Sequence, residues 1–241
     1  MYRLVQQTTA FIAPAEMAWV VADRAIAAAQ EADDPTALAA AAWNWANILR
    51  SAVYPEEALK VVTDAAALLQ PFIAAGTDNS RAIYGALQLH AAVTAAREGL
   101  EGDAWRFWDK ADEIAKKLPN GYVESTTVFS RANVDFHAVS VATELRTAGK
   151  ALAFVDKLDP DSMPSKERRS RLWVEVARGY LQRGEHISAL HVLKIAYSIS
   201  PETVIYTPAA RHATTEVWLR SPRGLRGEAA ELGREIGVTL G

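Results

Sequence analysis

The chain has 241 residues, 50% of them apolar, and a net charge of −3. Such a length buries roughly 70% of its unfolded surface, so a substantial core is expected, while the acidic balance argues against gripping nucleic acid by charge alone. With no cysteine, disulfides, thiolate metal sites and thiol nucleophiles are excluded. The opening MYRLVQQTTAFIAP lacks the apolar run of a secretion signal or membrane span, so a cytoplasmic protein is expected.

Abundant alanine and scarce alternation of Val, Ile and Thr favour packed helices. Residues 2–12 and 15–33 read as an opening hairpin, with Trp19, Ala22 and Ala25 on its inner face. Asp33-Asp34-Pro35 ends it; Asp34 then caps the next helix and Pro35 takes its first position. Residues 36–51, carrying Trp43 and Trp45, pair with 55–70, which Pro55 opens. Pro71, Gly76 and Thr77-Asp78-Asn79-Ser80 mark a loop. Helices 80–98 and 103–118 form a third hairpin turned between Gly99 and Asp103. Pro119-Asn120-Gly121 separates it from helix 123–143, whose partner runs over about 147–158 and stops at Asp159-Pro160. A fifth hairpin covers 166–199. Thr207-Pro208 and Ser221-Pro222 each pair a capping hydroxyl with proline and start two terminal helices, 208–219 and 223–236, which should cap the open end of the stack. No linker rich in Gly, Ser or Pro divides the chain, so a single domain over 1–241 is expected.

The stretch RRSRLWVEVARGYLQRGEHISALHVLKIAYSISPET carries a ladder. Counted from Ser170 as position 1, Trp173 falls at 4, Tyr180 at 11, Gly184 at 15, Ala189 at 20, Ala196 at 27 and Pro201 at 32. Bulky residues fill the inner face, alanines keep the second helix slim, Gly184 relaxes the turn and Pro201 stops the second helix. This ladder resembles the tetratricopeptide repeat, a helix–turn–helix unit of about 34 residues. Upstream, the slot of Ala189 is filled by Ala58, Ala104 and Ala148, and that of Ala196 by Ala65, Ala111 and Val155, both at spacings of 46, 44 and 41 residues. The expected fold is therefore all-α, a right-handed superhelical solenoid of about five tetratricopeptide-like hairpins with two C-terminal capping helices.

Beyond the repeat, WVVADRAIAAAQEADDP, RAIYGALQLHAAVTAARE, NVDFHAVSVATEL, DPDSMPSKERRSRLWVEVARGY and AAELGREIGV resemble the C-terminal region of actinobacterial XRE-family transcriptional regulators, over residues 10–238. In that family a Cro-like helix-turn-helix domain precedes a tetratricopeptide array. The resemblance implies a regulatory domain that senses a small molecule or short peptide in a concave groove, and a homodimer, since related regulators act as dimers. DNA would be reached only through an N-terminal module that this chain lacks, or through a partner. More distantly, the architecture is similar to peptide-pheromone receptors that hold short peptides on the concave face.

In tetratricopeptide arrays, fixed positions of each first helix line the groove. Transferred here, they give Trp43, Asn47 and Arg50; Leu89, Val93 and Arg97; Asn133, His137 and Ser140; and Val174, Arg178 and Gln182. Asn133 and His137 lie four apart on one helix face, so both can reach one ligand, and they match the family's Asn-Val-x-x-His pattern. Arg50, Arg97 and Arg178 are cationic donors suited to a carboxylate, whether a peptide C-terminus or an acid metabolite. The bland alternative is that Asn and His bridge neighbouring helices and that Arg is solvated. The carboxylate clamp of chaperone-binding repeats is not reproduced, because His90 stands where a second Asn is expected beside Asn47. Trp43, Trp45, Trp105 and Trp108 read as core before they read as stacking platforms.

Chemistry was sought without result. None of the five histidines forms an HExxH pair, and His186 and His191 turn to different helix faces. His212 and Glu216, four apart, read as a surface pair. No nucleotide-binding glycine loop or nucleophile elbow appears, and GLRGEAAELG reads as a helix start. Neither enzyme activity, cofactor nor metal is expected. The run from Lys166 to Arg171 is interrupted by Glu167 and reads as a mixed-charge helix start. Beside the sensor stands one competing expectation, a stand-alone adaptor that holds a protein partner constitutively.

Overall fold

The computed structural model describes residues 15–240; the expected helix over 2–12 lies outside them. Among the described residues there are twelve α-helices, two single-turn 3-10 helices and no strand. The protein is all-α. It divides into two compact units, Met1–His137 and Ala138–Gly241.

The first unit contains α1 (Ala15–Glu31), α2 (Pro35–Ser51), α3 (Pro55–Leu69), α4 (Asp78–Arg97), α5 (Glu101–Lys117) and the first half of α6 (Arg131–Glu144). Each helix packs on the next from α1 to α5, and α2 also packs on α4. Alanine makes this closeness feasible: Ala39, Ala40, Ala46, Ala58, Ala82, Ala92 and Ala111 are fully buried. Every residue of α4 from Ala82 to Ala96 is buried, polar ones included, so this helix has no solvent face. Of the four tryptophans expected in the core, Trp43, Trp45 and Trp108 pack on its edge, Phe107 stands there as well, and Trp19 meets Trp45 edge-on at 4.8 Å.

The second unit contains the rest of α6, then α7 (Ala148–Val155), α8 (Lys166–Gln182), α9 (His186–Ile199), α10 (Pro201–Tyr206), α11 (Pro208–Arg220) and α12 (Arg223–Glu235). α8 packs on α7, α9, α10 and α11, while α11 and α12 pack together. The Ser170 hydroxyl, fully buried, donates to the Ala196 carbonyl at 2.9 Å and ties α8 to α9.

Two local rules recur. The turn after α2, α4, α6 and α8 puts one residue in the left-handed region: Val53 (φ 67°), Gly99 (74°), Arg146 (60°) and Gly184 (75°). The following N–H then donates to the carbonyl five residues back, Tyr54 to Leu49, Leu100 to Ala95, Thr147 to Ala142 and Glu185 to Tyr180, each at 2.9 Å. This is the Schellman closure, and it satisfies carbonyls that the helix end would otherwise leave orphaned. The helices that precede these turns are in contrast started by side chains. Asp34 accepts from Thr36 and Ala37, Thr77 from Ser80, Ser130 from Asn133 and Ser165 from Arg168. The helices that follow the turns, α3, α5, α7 and α9, have no side-chain cap.

Aligned on these turns, the small-residue slot falls five residues on, at Ala58, Ala104, Ala151 and Ala189, all at most 1% exposed. Ala148, the residue expected in this slot, is buried as well, three residues before Ala151, and α7 ends at Val155.

Three expectations are corrected. The helix expected over 123–143 begins only at Arg131. Before it, the Glu124 carboxylate accepts from the Thr126 and Thr127 N–H groups and from the Thr127 hydroxyl, while Glu124 N–H donates to the Phe129 carbonyl at 3.0 Å. Those bonds compete with a helix, and Val128 takes φ 59°. Pro201 does more than stop α9, since it is the first residue of α10. The hydroxyls of Thr207 and Ser221 cap nothing: α11 has no side-chain cap, and α12 starts from Pro222.

Candidate functional site

The first unit gathers most of the expected contact residues. On α2, the Asn47 amide donates to the Trp43 carbonyl at 3.0 Å and its oxygen accepts from the Arg50 guanidinium at 2.9 Å. Asn47 therefore aims Arg50. On α6, the His137 Nδ1 lies 2.6 Å from the Asn133 carbonyl, which only accepts, so Nδ1 carries the proton. Asn133 itself is 2% exposed, and its side-chain oxygen has no hydrogen-bond partner.

A third residue entered the sequence reading only to dismiss a clamp. His90, on α4, is 3% exposed, and its Nδ1 lies 3.3 Å from the Thr94 hydroxyl. Burial holds its pKa well below the ordinary imidazole range, and the charges of Arg50, Arg97 and His137 push the same way, with a hydrogen bond to the Ala46 backbone opposing. The imidazole is thus neutral at pH 7. The charges of Arg50, Arg97 and His137 all disfavour a proton on this ring.

One register relates these positions. Nine residues before the left-handed turn residue stand Asn44, His90, His137 and, in the second unit, Glu175. The signal was present in the sequence as the 46- and 47-residue spacings of Asn44, His90 and His137. It was hidden because the turns at Val53 and Arg146 carry no glycine.

The apolar candidates have another role. Leu89 (2% exposed), Val93 (7%) and Val174 (1%) are core residues, and Ser140 is buried as well. In the second unit, Arg178 is held by carboxylates: its guanidinium reaches both Glu144 oxygens, at 3.2 and 3.0 Å, and Glu175 at 2.7 Å. Burial disfavours its charge, but Glu175 and Glu144 outweigh that and raise its pKa above the ordinary value. Nearby, Gln182 donates to the Thr143 carbonyl at 2.8 Å. Arg178 and Gln182 therefore stitch α8 to the end of α6.

The basic run pairs with acids, Arg169 with Asp161 at 2.9 Å, Arg168 with Glu167 at 3.5 Å and Arg171 also with Glu167. His212 is exposed, and Glu216 bonds to Arg220 at 3.2 Å. Among the described residues, no group of three or more His, Asp or Glu is arranged to hold a metal ion, and no helix is long and apolar enough to cross a membrane.

The state of His90 has a measurable consequence. Its folded-state pKa lies below its unfolded value near 6.5. The stabilisation from keeping it neutral is therefore fully present above that unfolded value, and it is lost as pH falls towards the folded pKa, by at most about 1.4 kcal/mol per pH unit. Urea unfolding at pH 7.5 and 5.5 should show wild type losing about 1 kcal/mol more than His90→Gln over this interval. Equal losses would remove His90 as the source.

Compared with known proteins, the chain matches no family model and no curated protein.

Proposed function

We propose that this chain is the ligand-sensing and oligomerisation domain of a transcriptional regulator, a solenoid of tetratricopeptide-like hairpins that takes a small molecule or short peptide against its first helices. DNA is contacted by a helix-turn-helix module joined to it or associated with it, and the chain itself catalyses no reaction. The repeated turn geometry at Val53, Gly99, Arg146 and Gly184, with a buried alanine five residues after each, supports the hairpin array. The observation that supports the sensor reading is on α6, where His137 bonds back to the Asn133 carbonyl and the buried Asn133 side-chain oxygen has no hydrogen-bond partner. Leaving that atom unsatisfied costs about 1–3 kcal/mol, which a ligand's donor would recover. In a solenoid each repeat touches its neighbours, so a ligand that ties α2, α4 and α6 together changes local curvature and biases an attached module.

The test is a thermal-shift screen of the chain against neutral, acidic and peptidic compounds. A ligand at 100 times its Kd adds about 2.7 kcal/mol, which for this size raises Tm by about 5–10 °C. The Asn133→Ala/His137→Ala double variant should lose that rise. A folded double variant that responds as wild type does would remove these residues from the site.

A further inference from the structure

We propose that Asn120 is a site of covalent modification, converted without an enzyme to aspartate and isoaspartate by attack of the Gly121 backbone nitrogen on its side-chain amide. The chain has five asparagines, Asn44, Asn47, Asn79, Asn120 and Asn133. Such an attack needs the nitrogen of the next residue to be free to turn, and the fold withholds it at four of them. Asn44 and Asn47 lie inside α2, where the following N–H is engaged in the helix. After Asn133, the Val134 N–H donates to the Ser130 carbonyl at 3.0 Å. After Asn79, the Ser80 N–H donates to the Thr77 hydroxyl at 3.2 Å, the cap of α4.

Asn120 is the one asparagine outside a helix, in the turn that follows α5. The Tyr122 N–H closes this turn on the Pro119 carbonyl at 3.0 Å. Gly121 takes φ 75° while Asn120 stays outside the positive-φ region, the pattern of a type II turn. Both residues are exposed, and among the described residues no backbone carbonyl accepts from the Gly121 N–H. A Cβ placed on Gly121 would meet nothing within 4 Å. Glycine tolerates either sign of φ, so the peptide plane between Asn120 and Gly121 can rotate without carrying a buried atom along.

The chemistry needs only water. Hydroxide removes the Gly121 amide proton, and the nitrogen bonds to the Asn120 side-chain carbonyl carbon. The bond to the side-chain nitrogen breaks, and ammonia leaves on taking a proton from water, which restores the hydroxide. Water then opens the cyclic imide. Cleavage at the side-chain carbonyl gives aspartate; cleavage at the main-chain carbonyl gives isoaspartate, with the chain rerouted through the β-carbon. Nothing is oxidised or reduced, and a neutral amide becomes a carboxylate.

Trypsin isolates the site, since residues 118–131 form one peptide and Asn79 lies in another, 61–81. The full chain is aged at pH 8.5 and at pH 6.0 and mapped by mass spectrometry. In the native protein, peptide 118–131 should gain an acid and split into two chromatographic forms at least tenfold faster than peptide 61–81 changes, and faster in the alkaline buffer. Unfolding in guanidinium chloride should accelerate conversion of Asn79 and leave that of Asn120 little changed. Gly121→Ala and Asn120→Gln should each slow the change in peptide 118–131 at least tenfold, with circular dichroism checking the fold. Three results would overturn the proposal: Asn120 converting no faster than Asn79 in the native protein, Gly121→Ala converting as fast as wild type, or unfolding accelerating Asn120 at least tenfold.

Discussion

Phe129→Ala should destabilise the first unit by about 3–5 kcal/mol, the range for emptying a fully buried aromatic site. Phe129 is 0% exposed and sits over Gly85, in the middle of α4; a Cβ on Gly85 would fall inside the space of its ring. The fit is reciprocal, which permits a sharper measurement. Gly85→Ala alone should gain helix propensity of about 1 kcal/mol but suffer overpacking that outweighs it, for a net loss of about 1–3 kcal/mol. In the Phe129→Ala background the clash disappears, and the same change should become neutral or stabilising. Urea denaturation of the four proteins measures this coupling. An additive cycle would show that the ring does not rest on Gly85.

Arg178→Met should cost about 3 kcal/mol, the lower end of the range for removing one partner of a buried ion pair. The Arg178, Glu144 and Glu175 side chains are 23, 13 and 16% exposed, so losing the guanidinium leaves two carboxylates largely out of water. The penalty should shrink in acid, where the carboxylates take up protons and need no cation. Adding Glu144→Gln and Glu175→Gln to Arg178→Met should recover much of the loss, because it is the uncompensated charge that destabilises. Thermal melts at pH 7 and pH 4.5 distinguish this from a loss of packing, which would persist at both. If Arg178 instead faced a ligand, substitution would leave Tm nearly unchanged.

Helix positions were legible wherever a cap or a proline announces them. Asp34-Pro35 and Pro55 mark the starts of α2 and α3 as read, and Gly99 and Gly184 mark turns. The segment before α6 was not legible. Its Val, Thr and Phe content allows a helix, and only the bonds that gather at the Glu124 carboxylate decide otherwise. The left-handed turns at Val53 and Arg146 were hidden for a similar reason, since tertiary fit holds residues there that normally avoid the conformation. The candidate site was read in part. Arg50, Arg97, Asn133 and His137 were named from spacing, whereas His90 could be found only by aligning the turns. Arg178 was read as a ligand donor because its acidic partner Glu144 stands 34 residues away, beyond any local pattern.

The division between side-chain caps and Schellman turns bears on how this protein could be edited. Within a hairpin the geometry is fixed to a single residue, so lengthening 52–54, 98–100 or 183–185 would misalign two helices at once. Between hairpins, the stretch 156–159 joins α7 to a 3-10 turn that starts at Pro160, and Asp156, Lys157 and Asp159 are exposed. A fluorophore or a short tag spliced there would report on the fold without shifting either neighbouring helix pair.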